Sequence, residues 1–264
     1  MQNGTENKIA GIKFYRCGYC INDLKHMYKE IKTHKKVKFY AKVMLIDHKT
    51  HGKILVDTGY SHRIYENGLT SKLYQLLNPA YYQKEDHILY QLKKDGIDQK
   101  DLNMVILTHL HPDHTGGLKD ISHARMIMSD QCGSRLFRSK YRELIFSNQI
   151  NKQMKKKPVF LTLSQQSPLK GFMGRDLFHD NSIWLIDLCG HAYGQTGIYI
   201  PEKKLFYVAD ATWGRDYLRY RLRLIPRLIQ NHYHSYIQTV KKISCLNDIT
   251  IISCHGDEDY QNAE

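Results

Sequence analysis

Ten consecutive residues, THLHPDHTGG at positions 108–117, constrain the possible folds of this chain more than any other segment. They contain three histidines and an aspartate within six residues, and they directly follow the apolar run MVIL at 104–107. A buried strand that ends here presents the next side chains on a loop at its carboxyl end, where α/β proteins place their sites. The segment therefore predicts a metal site at the edge of a sheet.

The side chains of this segment match the ligands of a transition-metal site. In the pair His109 and His111, both imidazoles lie on one side of an extended segment. Pro112 turns the chain, so that Asp113 and His114 can address a second ion. Imidazole and carboxylate ligands together favour zinc, with iron or manganese as alternatives.

Three further candidate ligands follow apolar runs elsewhere in the chain. His191 comes after IWLIDLCG, Asp210 after LFYVA and His255 after ITIISC. A single histidine among the fifteen is more often a surface or core residue than a ligand. Four ligand-bearing segments at strand ends are much harder to assign to chance, and we expect them to form one site.

Short apolar and β-branched runs alternate with helical patterns along the chain, which favours an α/β fold. The strands fall into two groups on either side of residues 130–180, and this indicates two similar halves. We predict helices at about 68–77, 84–95, 115–120, 131–147, 214–224 and 226–243. We predict strands at 43–46, 54–56, 104–107, 126–128, 183–186, 198–200, 205–208 and 249–252.

The ordered series of candidate ligands resembles that of the metallo-β-lactamase superfamily, and within it most of all the acyl-homoserine-lactone lactonase branch. The likeness covers residues 40–257 and includes LVDTG at 55–59, similar to the early strand and turn of the superfamily. The segment GHAYGQTG at 190–197 resembles the lactonase-type G-H-x-x-G-H-Q segment, with Thr196 at a position where other members often differ.

The resemblance implies a four-layer αββα sandwich of two similar halves, with two divalent metal ions at one edge. It implies a single domain over residues 1–264, with a core at about 38–258 and an N-terminal extension, residues 1–37. Asp57, on the early turn, is expected to orient a ligand histidine rather than to bind an ion. The implied ligands are His109, His111 and His191 for one ion, Asp113, His114 and His255 for the other, and Asp210 as the bridge between them.

The resemblance also implies hydrolysis by a hydroxide that bridges the two ions, because bound metal ions acidify water. Asp113, a ligand with a second carboxylate oxygen, would carry a proton to the leaving group. We expect the substrate to be a small carboxylic ester, thioester or lactone. Two alternatives remain open: a phosphodiesterase or ribonuclease that acts on nucleic acid, which the charge alone favours, and a non-catalytic basic metal-binding protein.

The chain is strongly basic, with 39 Lys and Arg against 26 Asp and Glu and a formal charge of +13. Such an excess favours anionic partners such as nucleic acid, a phosphorylated cofactor, an acidic protein or an anionic surface, unless it only solvates the protein. The basic residues are densest at 32–38, 152–157 and 215–227.

The last of these segments follows Asp210 and would lie near the metal ions. As a helix it would place Arg215, Arg219 and Arg223 on one face at i, i+4 spacing. These arginines could bind an anionic handle, such as the phosphates of coenzyme A or of an acyl carrier protein, which favours a thioester substrate. The alternative is an ordinary amphipathic helix with a solvated arginine face.

Trp213 is a departure from the lactonase branch, which commonly has a tyrosine three residues after the bridging aspartate. Indole cannot shuttle a proton, so we expect weak activity on homoserine lactones. Trp213 would instead form an apolar wall for an acyl or aryl group, unless it is simply a core residue. Tyr193 and Tyr217 are candidates to supply a phenol in its place.

The remaining features indicate a cytoplasmic protein. The polar start MQNGTENKIAG has no apolar signal-peptide region, and no apolar run approaches the length of a membrane span. The six cysteines show no disulfide spacing. The close pair Cys17 and Cys20 could bind zinc or change redox state, but buried thiols without such a role are the more common case.

Overall fold

The computed structural model describes residues 7–136, 143–150 and 157–257, and the strands in this part of the chain form two sheets. The first sheet has the order β4-β1-β2-β3-β5-β6-β7, and the second has the order β13-β12-β11-β10-β9-β8. The first sheet contains β1 (Ile9–Asp23), β2 (Lys36–His48), β3 (Gly52–Val56), β4 (Ala80–Tyr81), β5 (Leu102–Ile106), β6 (Arg125–Ser129) and β7 (Val159–Leu161). The second contains β8 (Gln165–Gln166), β9 (Met173–Asp176), β10 (Trp184–Asp187), β11 (Thr196–Ile200), β12 (Leu205–Tyr207) and β13 (Thr250–Ile252).

The helices are mostly short and connect the strands. The α-helices are α1 (Leu24–Met27), α2 (Gly68–Leu77), α3 (Ile88–Lys94), α4 (Pro112–Thr115), α5 (Asp130–Gly133), α6 (Leu224–Leu228) and α7 (Tyr233–Ser244). Single 3₁₀ turns lie at His62–Tyr65, Lys84–Asp86, Gln99–Asp101, Leu118–Asp120, Ser147–Gln149, Pro201–Lys203 and Arg215–Tyr217. None of the helices within the described ranges is long and apolar enough to cross a membrane.

The two sheets pack face to face because their strands present apolar side chains on both sides. In β2, Met44 and Ile46 point to the second sheet, whereas Val43 and Leu45 point to the opposite side, as the twofold period of a strand requires. The core between the sheets is completed from the second sheet by Leu185, Ile198, Ile200, Leu205, Tyr207 and Ile252.

Helices cover the outer face of each sheet. Ile88 and Leu92 of α3 pack with Val43 and Leu45 on the outer side of the first sheet. Ile243 of α7 packs with outward-facing residues of the second sheet, which are Ile186, Tyr199, Phe206 and Ile251. This arrangement confirms the predicted four-layer αββα sandwich.

The strand directions bring several loops to one edge of the molecule. Strands β3, β5, β6 and β7 are parallel to one another, so their carboxyl ends meet at the same edge of the first sheet. In the second sheet, β12 and β13 are parallel, and β10 runs the same way because both β10 and β12 are antiparallel to β11. The segments that follow β5, β10, β12 and β13 carry the candidate ligands.

The predicted strands are confirmed, and the predicted helices are confirmed in part. Helix α2 matches its predicted range, and the segment 84–95 contains a 3₁₀ turn followed by α3. The segment 115–120 contains only the end of α4 and a 3₁₀ turn, and 226–243 is divided between α6 and α7. In the segment 131–147, the structure contains α5, but residues 137–142 lie outside the described part.

The prediction of a helix at 214–224 was wrong. After the 3₁₀ turn Arg215–Tyr217, the backbone N–H groups of residues 221 and 223 donate to the Glu30 carboxylate and the Met27 carbonyl, at 2.9 and 2.8 Å. A helix would need these donors for its own hydrogen bonds. Contacts with a distant segment therefore replace the helix, and Arg215, Arg219 and Arg223 do not share a helical face.

Within the expected N-terminal extension, residues 9–23 form the long strand β1 of the first sheet. This strand pairs with β2 over its whole length and with β4 at Tyr19 and Cys20. A register shift between Arg16 and Tyr19 includes Gly18, whose φ of +85° is in the left-handed region that glycine tolerates best.

A close backbone contact joins α4 to the turn after β3. Gly116 N–H donates to the Gly59 carbonyl at 2.9 Å, and Thr58 N–H donates to the His114 carbonyl at 2.9 Å. A Cβ atom at position 116 would lie 2.5 Å from the Gly59 carbonyl oxygen, so only glycine allows this approach. The contact fixes the helix that carries two candidate ligands.

We expect Gly116→Ala to lower the free energy of unfolding by about 2 kcal/mol or more, because backbone atoms must move to admit the methyl group. Urea unfolding of chelator-treated protein measures this without a contribution from bound metal. Gly11→Ala is the matched control, because a Cβ at position 11 meets no atom within 4 Å. Equal stability of the two variants would contradict the close contact.

Candidate metal centre

The first four candidate ligands lie on the loop after β5 and on α4. His111 is the N-cap of α4, and Pro112 occupies the first helical position, where its missing N–H costs nothing. Asp113 and His114 follow on the same turn of helix. The short helix therefore turns two further ligand-type side chains toward the same point as His109 and His111.

The other three candidates come from the second sheet. His191, Asp210 and His255 lie in the segments that follow β10, β12 and β13. All seven candidates are buried, from completely for His109 and His114 to 8% exposed for His111. Seven polar or charged side chains buried together require partners that satisfy them.

One group of ligand atoms is formed by three histidines and Asp210. The His109 Nε2 and His191 Nε2 atoms each lie 3.0 Å from His111 Nδ1. The His191 Nε2 atom lies 3.4 Å from Asp210 Oδ2. These four side chains each offer a ligand atom within 4.8 Å of the others, which is a spacing that one metal ion can bridge.

A second group shares Asp210 with the first. His255 Nε2 lies 2.9 Å from Asp210 Oδ2, and His114 Nε2 lies 3.2 Å from Asp210 Oδ1. Asp113 Oδ2 lies 3.4 Å from His255 Nε2 and 3.7 Å from His114 Nε2. Cys254 is also within reach of this group, but its thiol approaches the Lys42 carbonyl oxygen at 3.6 Å.

Hydrogen bonds outside the cluster orient the rings. The Nδ1 atoms of His114, His191 and His255 donate to Asp57 Oδ2, to Gln230 Oε1 and to the Tyr40 carbonyl, at 2.8, 2.9 and 2.7 Å respectively. These acceptors place a proton on the Nδ1 atom of each ring and turn its Nε2 atom into the cluster.

Thr108 extends the same arrangement to His109. The Thr108 hydroxyl donates to Asp57 Oδ2 at 2.8 Å, so its oxygen accepts from His109 Nδ1 at 3.1 Å. The Thr108 N–H also donates to Asp57 Oδ1 at 2.8 Å. Asp57 therefore orients His114 directly and His109 through one hydroxyl, consistent with its expected role as a residue that positions ligands.

Burial and the local charges shift the pKa values of the cluster in two directions. Burial lowers the pKa of His109, His111 and His191, so these rings are neutral, as a metal ligand must be. Burial acts the same way on His255, but the Asp210 carboxylate outweighs it and raises the pKa to about 10. Burial also acts to lower the pKa of His114. The negative charge of Asp57, followed by that of other acidic neighbours, outweighs burial and raises this pKa well above its usual value.

The cluster fits divalent metal ions by its own chemistry. His114 Nε2 and Asp210 Oδ1 are buried without a hydrogen-bond partner, although they lie 3.2 Å apart. Buried polar atoms without partners are costly, and a cation would satisfy both. Five imidazoles and two carboxylates suit zinc, with iron and manganese as alternatives.

Aromatic side chains border the cluster on one side. The Trp213 ring stands edge-on to His191 with ring centres 6.1 Å apart, and the Phe39 ring is 6.4 Å from that of His255. Trp213 is buried in a hydrophobic cluster that includes Tyr28 and Tyr236. It is therefore a core residue that also forms part of the cluster's wall.

The other candidate substrate residues make contacts outside the seven candidate ligands. The Tyr193 ring lies 4.1 Å from the Arg135 guanidinium and lines a cavity of about 530 Å³ that none of the seven candidates borders. Arg215 and Arg219 are exposed, and the Arg219 guanidinium lies over the Tyr220 ring at 5.3 Å. Tyr217 packs 5.0 Å from the Tyr28 ring.

The pair Cys17 and Cys20 is buried in the core and belongs to no group of metal-ligand type among the described residues. Burial raises the pKa of both thiols, so they are not reactive thiolates. The Gln91 side chain donates to Cys17 Sγ at 3.5 Å.

Two residues that orient ligands carried no signal in the sequence. Gln230 is 39 positions from His191, and no motif connects them. Tyr40 acts through its backbone carbonyl, so its side chain could not reveal the role. Thr108 could have been identified, because it directly precedes His109 and has a hydroxyl.

A known protein family matches the part of the chain that contains all seven candidate ligands. The family model described as "Metallo-beta-lactamase superfamily" matches residues 38–255. A structure of an N-acyl homoserine lactone hydrolase with N-hexanoyl-L-homoserine at its catalytic metal centre is 17% identical, with a TM-score of 0.71 over 95% of this chain and 94% of that chain. A variant of B. thuringiensis AiiA with N-decanoyl-L-homoserine bound is 18% identical, with a TM-score of 0.71 over 95% and 94%.

A third structure extends the comparison. AidC, described as a dizinc quorum-quenching lactonase, is 17% identical, with a TM-score of 0.65 over 95% of this chain and 89% of that chain. At these identities the similarity establishes the fold.

The outer hydrogen bonds predict unequal effects on metal binding. Asp57→Asn should weaken the binding of both ions by about 10- to 100-fold, because Asp57 supports one ring in each group. Gln230→Leu should weaken only the ion that His191 binds. Competition with a chelator, followed by metal analysis, measures both affinities. Gln238→Leu on the exposed side of α7 is the control, and an equal loss in all three variants would contradict the assignment.

Proposed function

The chain belongs to the metallo-β-lactamase superfamily, and from this we propose that it is a metal-dependent hydrolase. The proposed enzyme uses two divalent metal ions, with zinc as the first choice. Its proposed substrate is a carboxylic ester, thioester or lactone. One observation carries the proposal: six buried side chains of metal-ligand type converge in two groups that share Asp210, and the buried Asp113 carboxylate lies 3.4 Å from His255 and 3.7 Å from His114 in the second group. A protein that only needed a structural ion would close one tetrahedral site with four ligands.

Each ligand has a proposed place. The sharing of Asp210 supports its role as the bridge, because Oδ2 faces His191 and His255 while Oδ1 faces His114. When bound, the ions supply Lewis acidity to a water molecule and to the carbonyl oxygen of the substrate. The proposed ligands of the first ion are His109, His111 and His191, and those of the second are Asp113, His114 and His255.

Asp113 is the proposed proton carrier. Its Oδ2 atom is turned toward His255 and His114, which leaves Oδ1 to accept a proton and to pass it to the leaving group. The fixed position of α4 supports this role, because the His111 cap and the contact at Gly116 hold the carboxylate in place. A positioned acid or base contributes a factor of about 100 to 10,000 in rate.

The proposed substrate has an apolar part next to the ester carbonyl. The indole of Trp213, edge-on to His191, gives an acyl or aryl group an apolar surface beside the reacting atoms. The solved structures of N-acyl homoserine lactone hydrolases and lactonases support lactones as members of the ester class, whereas Trp213 disfavours homoserine lactones themselves as good substrates. Thioesters carried by coenzyme A or an acyl carrier protein are less well supported, since Arg215 and Arg219 do not form the expected helical face.

A phosphodiesterase is the second candidate, and the net charge of +13 is the observation that favours it.

Metal analysis followed by a hydrolysis panel separates the two candidate functions. The panel contains acyl-homoserine lactones, acyl-thioesters of coenzyme A, simple aryl esters and bis-p-nitrophenyl phosphate. Turnover of the carbonyl substrates alone supports the proposal, whereas turnover of the phosphodiester alone would reject it.

We expect two metal ions per chain in fully loaded protein. His109→Ala should reduce kcat at least about 1,000-fold, because the Lewis acidity of one ion contributes several kcal/mol. Asp210→Ala should lose at least one ion. Cys254→Ser should keep both, because the Cys254 thiol approaches a backbone carbonyl. Metal analysis of the four proteins measures this, and at most one ion per loaded wild-type chain would rule out the dinuclear site.

We expect the wild-type protein to hydrolyse homoserine lactones weakly and Trp213→Tyr to hydrolyse them faster. A phenol at position 213 could donate to the developing oxyanion, and one such hydrogen bond is worth roughly 2.7–4 kcal/mol in a preorganised site. The kcat/KM values of both proteins for a lactone and for an aryl ester test this. Trp213→Phe is the control that removes the indole without adding a donor. Efficient lactone hydrolysis by the wild type would show that the phenol is not needed.

A further inference from the structure

Helix α6 exposes a row of aliphatic side chains beside the metal cluster. Leu224, Ile225 and Leu228 are 67%, 61% and 71% exposed, and Ile229 is 40% exposed. The helix is held in place by Gln230, whose side chain donates to the Pro226 carbonyl at 2.8 Å and accepts from His191. A contiguous exposed apolar patch of this kind marks an interaction surface.

Basic residues from two distant segments meet next to this patch. Lys29 N–H donates to the Arg221 carbonyl at 2.9 Å, and Tyr28 forms an antiparallel bridge with Leu222. These contacts, with the Lys32 ammonium that donates to the Lys29 carbonyl at 2.7 Å, bring the start of the basic stretch 32–38 and part of the stretch 215–227 to one surface. We call its exposed cations the basic rim, which consists of Lys29, Lys32, Lys35, Lys36, Arg221 and Arg227.

We propose that α6 and the basic rim bind the surface of an anionic phospholipid bilayer. The four aliphatic side chains would enter the boundary between headgroups and acyl chains, and the rim would pair with lipid phosphates. Neither feature is sufficient alone, because stable attachment to a bilayer requires an apolar anchor together with a basic patch. Each rim residue near the surface contributes about a fivefold increase in affinity.

The composition of the surface favours a bilayer over the other anionic partners. Nucleic acid gains little from exposed leucine and isoleucine, and the nearby aromatic rings are engaged within the protein. Tyr220 packs against Tyr28 at 5.7 Å, and Tyr233 stacks on Tyr236 at 6.1 Å. Within the rim, Arg221 pairs with Glu30 at 2.8 Å, the Lys32 ammonium donates to the Lys29 carbonyl at 2.7 Å, and the Arg227 guanidinium lies 4.5 Å from the centre of the Tyr233 ring.

A second copy of the chain is also disfavoured. A twofold contact through α6 would bring each basic rim close to its own counterpart, because the same surface patch faces itself in such an interface. Like charges placed together would oppose the association. A bilayer with anionic headgroups has the opposite charge and takes up the aliphatic side chains.

Binding would place the candidate metal centre close to the bilayer, because Gln230 contacts both α6 and His191. A substrate with a long acyl chain could then enter from the lipid phase. This consequence depends on the proposed hydrolase activity, whereas the binding itself does not.

Flotation of the metal-loaded, full-length protein with lipid vesicles tests the proposal. We expect binding to vesicles made of equal parts phosphatidylcholine and phosphatidylglycerol, and none to phosphatidylcholine alone. The double variant Leu224→Ser/Leu228→Ser should reduce the affinity at least about tenfold through the loss of apolar burial. The matched control is Leu69→Ser/Leu76→Ser on α2. These two leucines are 82% and 77% exposed, but the helix carries a single lysine, Lys72.

A second set of variants tests the basic rim. Lys32→Gln/Lys36→Gln/Arg227→Gln should reduce the affinity about 100-fold, whereas Lys93→Gln/Lys94→Gln/Lys100→Gln, with the same change in net charge elsewhere, should reduce it far less. Metal content and the unfolding midpoint confirm that each variant is folded. Because flotation needs no substrate, its result is independent of whether the protein hydrolyses an ester.

Three results would overturn the proposal. The first is absence of binding to phosphatidylglycerol vesicles at low ionic strength. The second is binding that the leucine variants leave unchanged, which would indicate attraction to phosphate alone and would favour a nucleic acid. The third is a concentration-dependent dimer in gel filtration that the Leu224→Ser/Leu228→Ser variant abolishes, which would assign the patch to a second copy.

Discussion

The candidate metal centre depends on the buried carboxylate of Asp57. It accepts from the Thr108 N–H, from the Thr108 hydroxyl and from His114 Nδ1, each at 2.8 Å. A carboxylate without solvent exposure needs such donors to offset its lost hydration. Thr108 in turn accepts from Thr196 N–H at 2.9 Å, which joins the two sheets at the edge where the ligands meet. The network orients the rings of His109 and His114.

The sequence identified the candidate ligands more completely than the residues that orient them. The difference follows from how far apart in the sequence the interacting residues are. His109, His111, Asp113 and His114 belong to one short motif that follows a strand, so a local pattern was sufficient to identify them. Gln230 and Tyr40 act across long separations, through an amide with no motif and through a backbone carbonyl. The four layers could be predicted from the family resemblance, whereas the strand groups indicated only two α/β halves with strands buried on both faces.

The helix prediction at 214–224 also failed because of interactions between distant parts of the sequence, and these interactions shape the surface near Arg221. The spacing of the arginines favours a helix locally, but residues 27–30 offer the backbone partners that the helix would have used. Tertiary contacts of this kind override a modest helix propensity. They also carry Arg221 to the side of Lys29, so the interaction that removes the predicted arginine face creates the basic rim.

The same geometry separates the chemistry of the protein from its choice of substrate. The buried candidate ligands come from strand ends of both sheets, and their positions are determined by the fold and by hydrogen bonds around the rings. The walls come instead from segments that pack over that edge, with Trp213 on the stretch after Asp210 and α6 further along the chain. The outward side chains of these segments do not contact the candidate ligands, although Gln230, just after the end of α6, accepts from His191. In the proposed hydrolase, substrate preference should therefore follow the wall and the surface of α6, whereas the ability to hydrolyse should follow the seven candidate ligands.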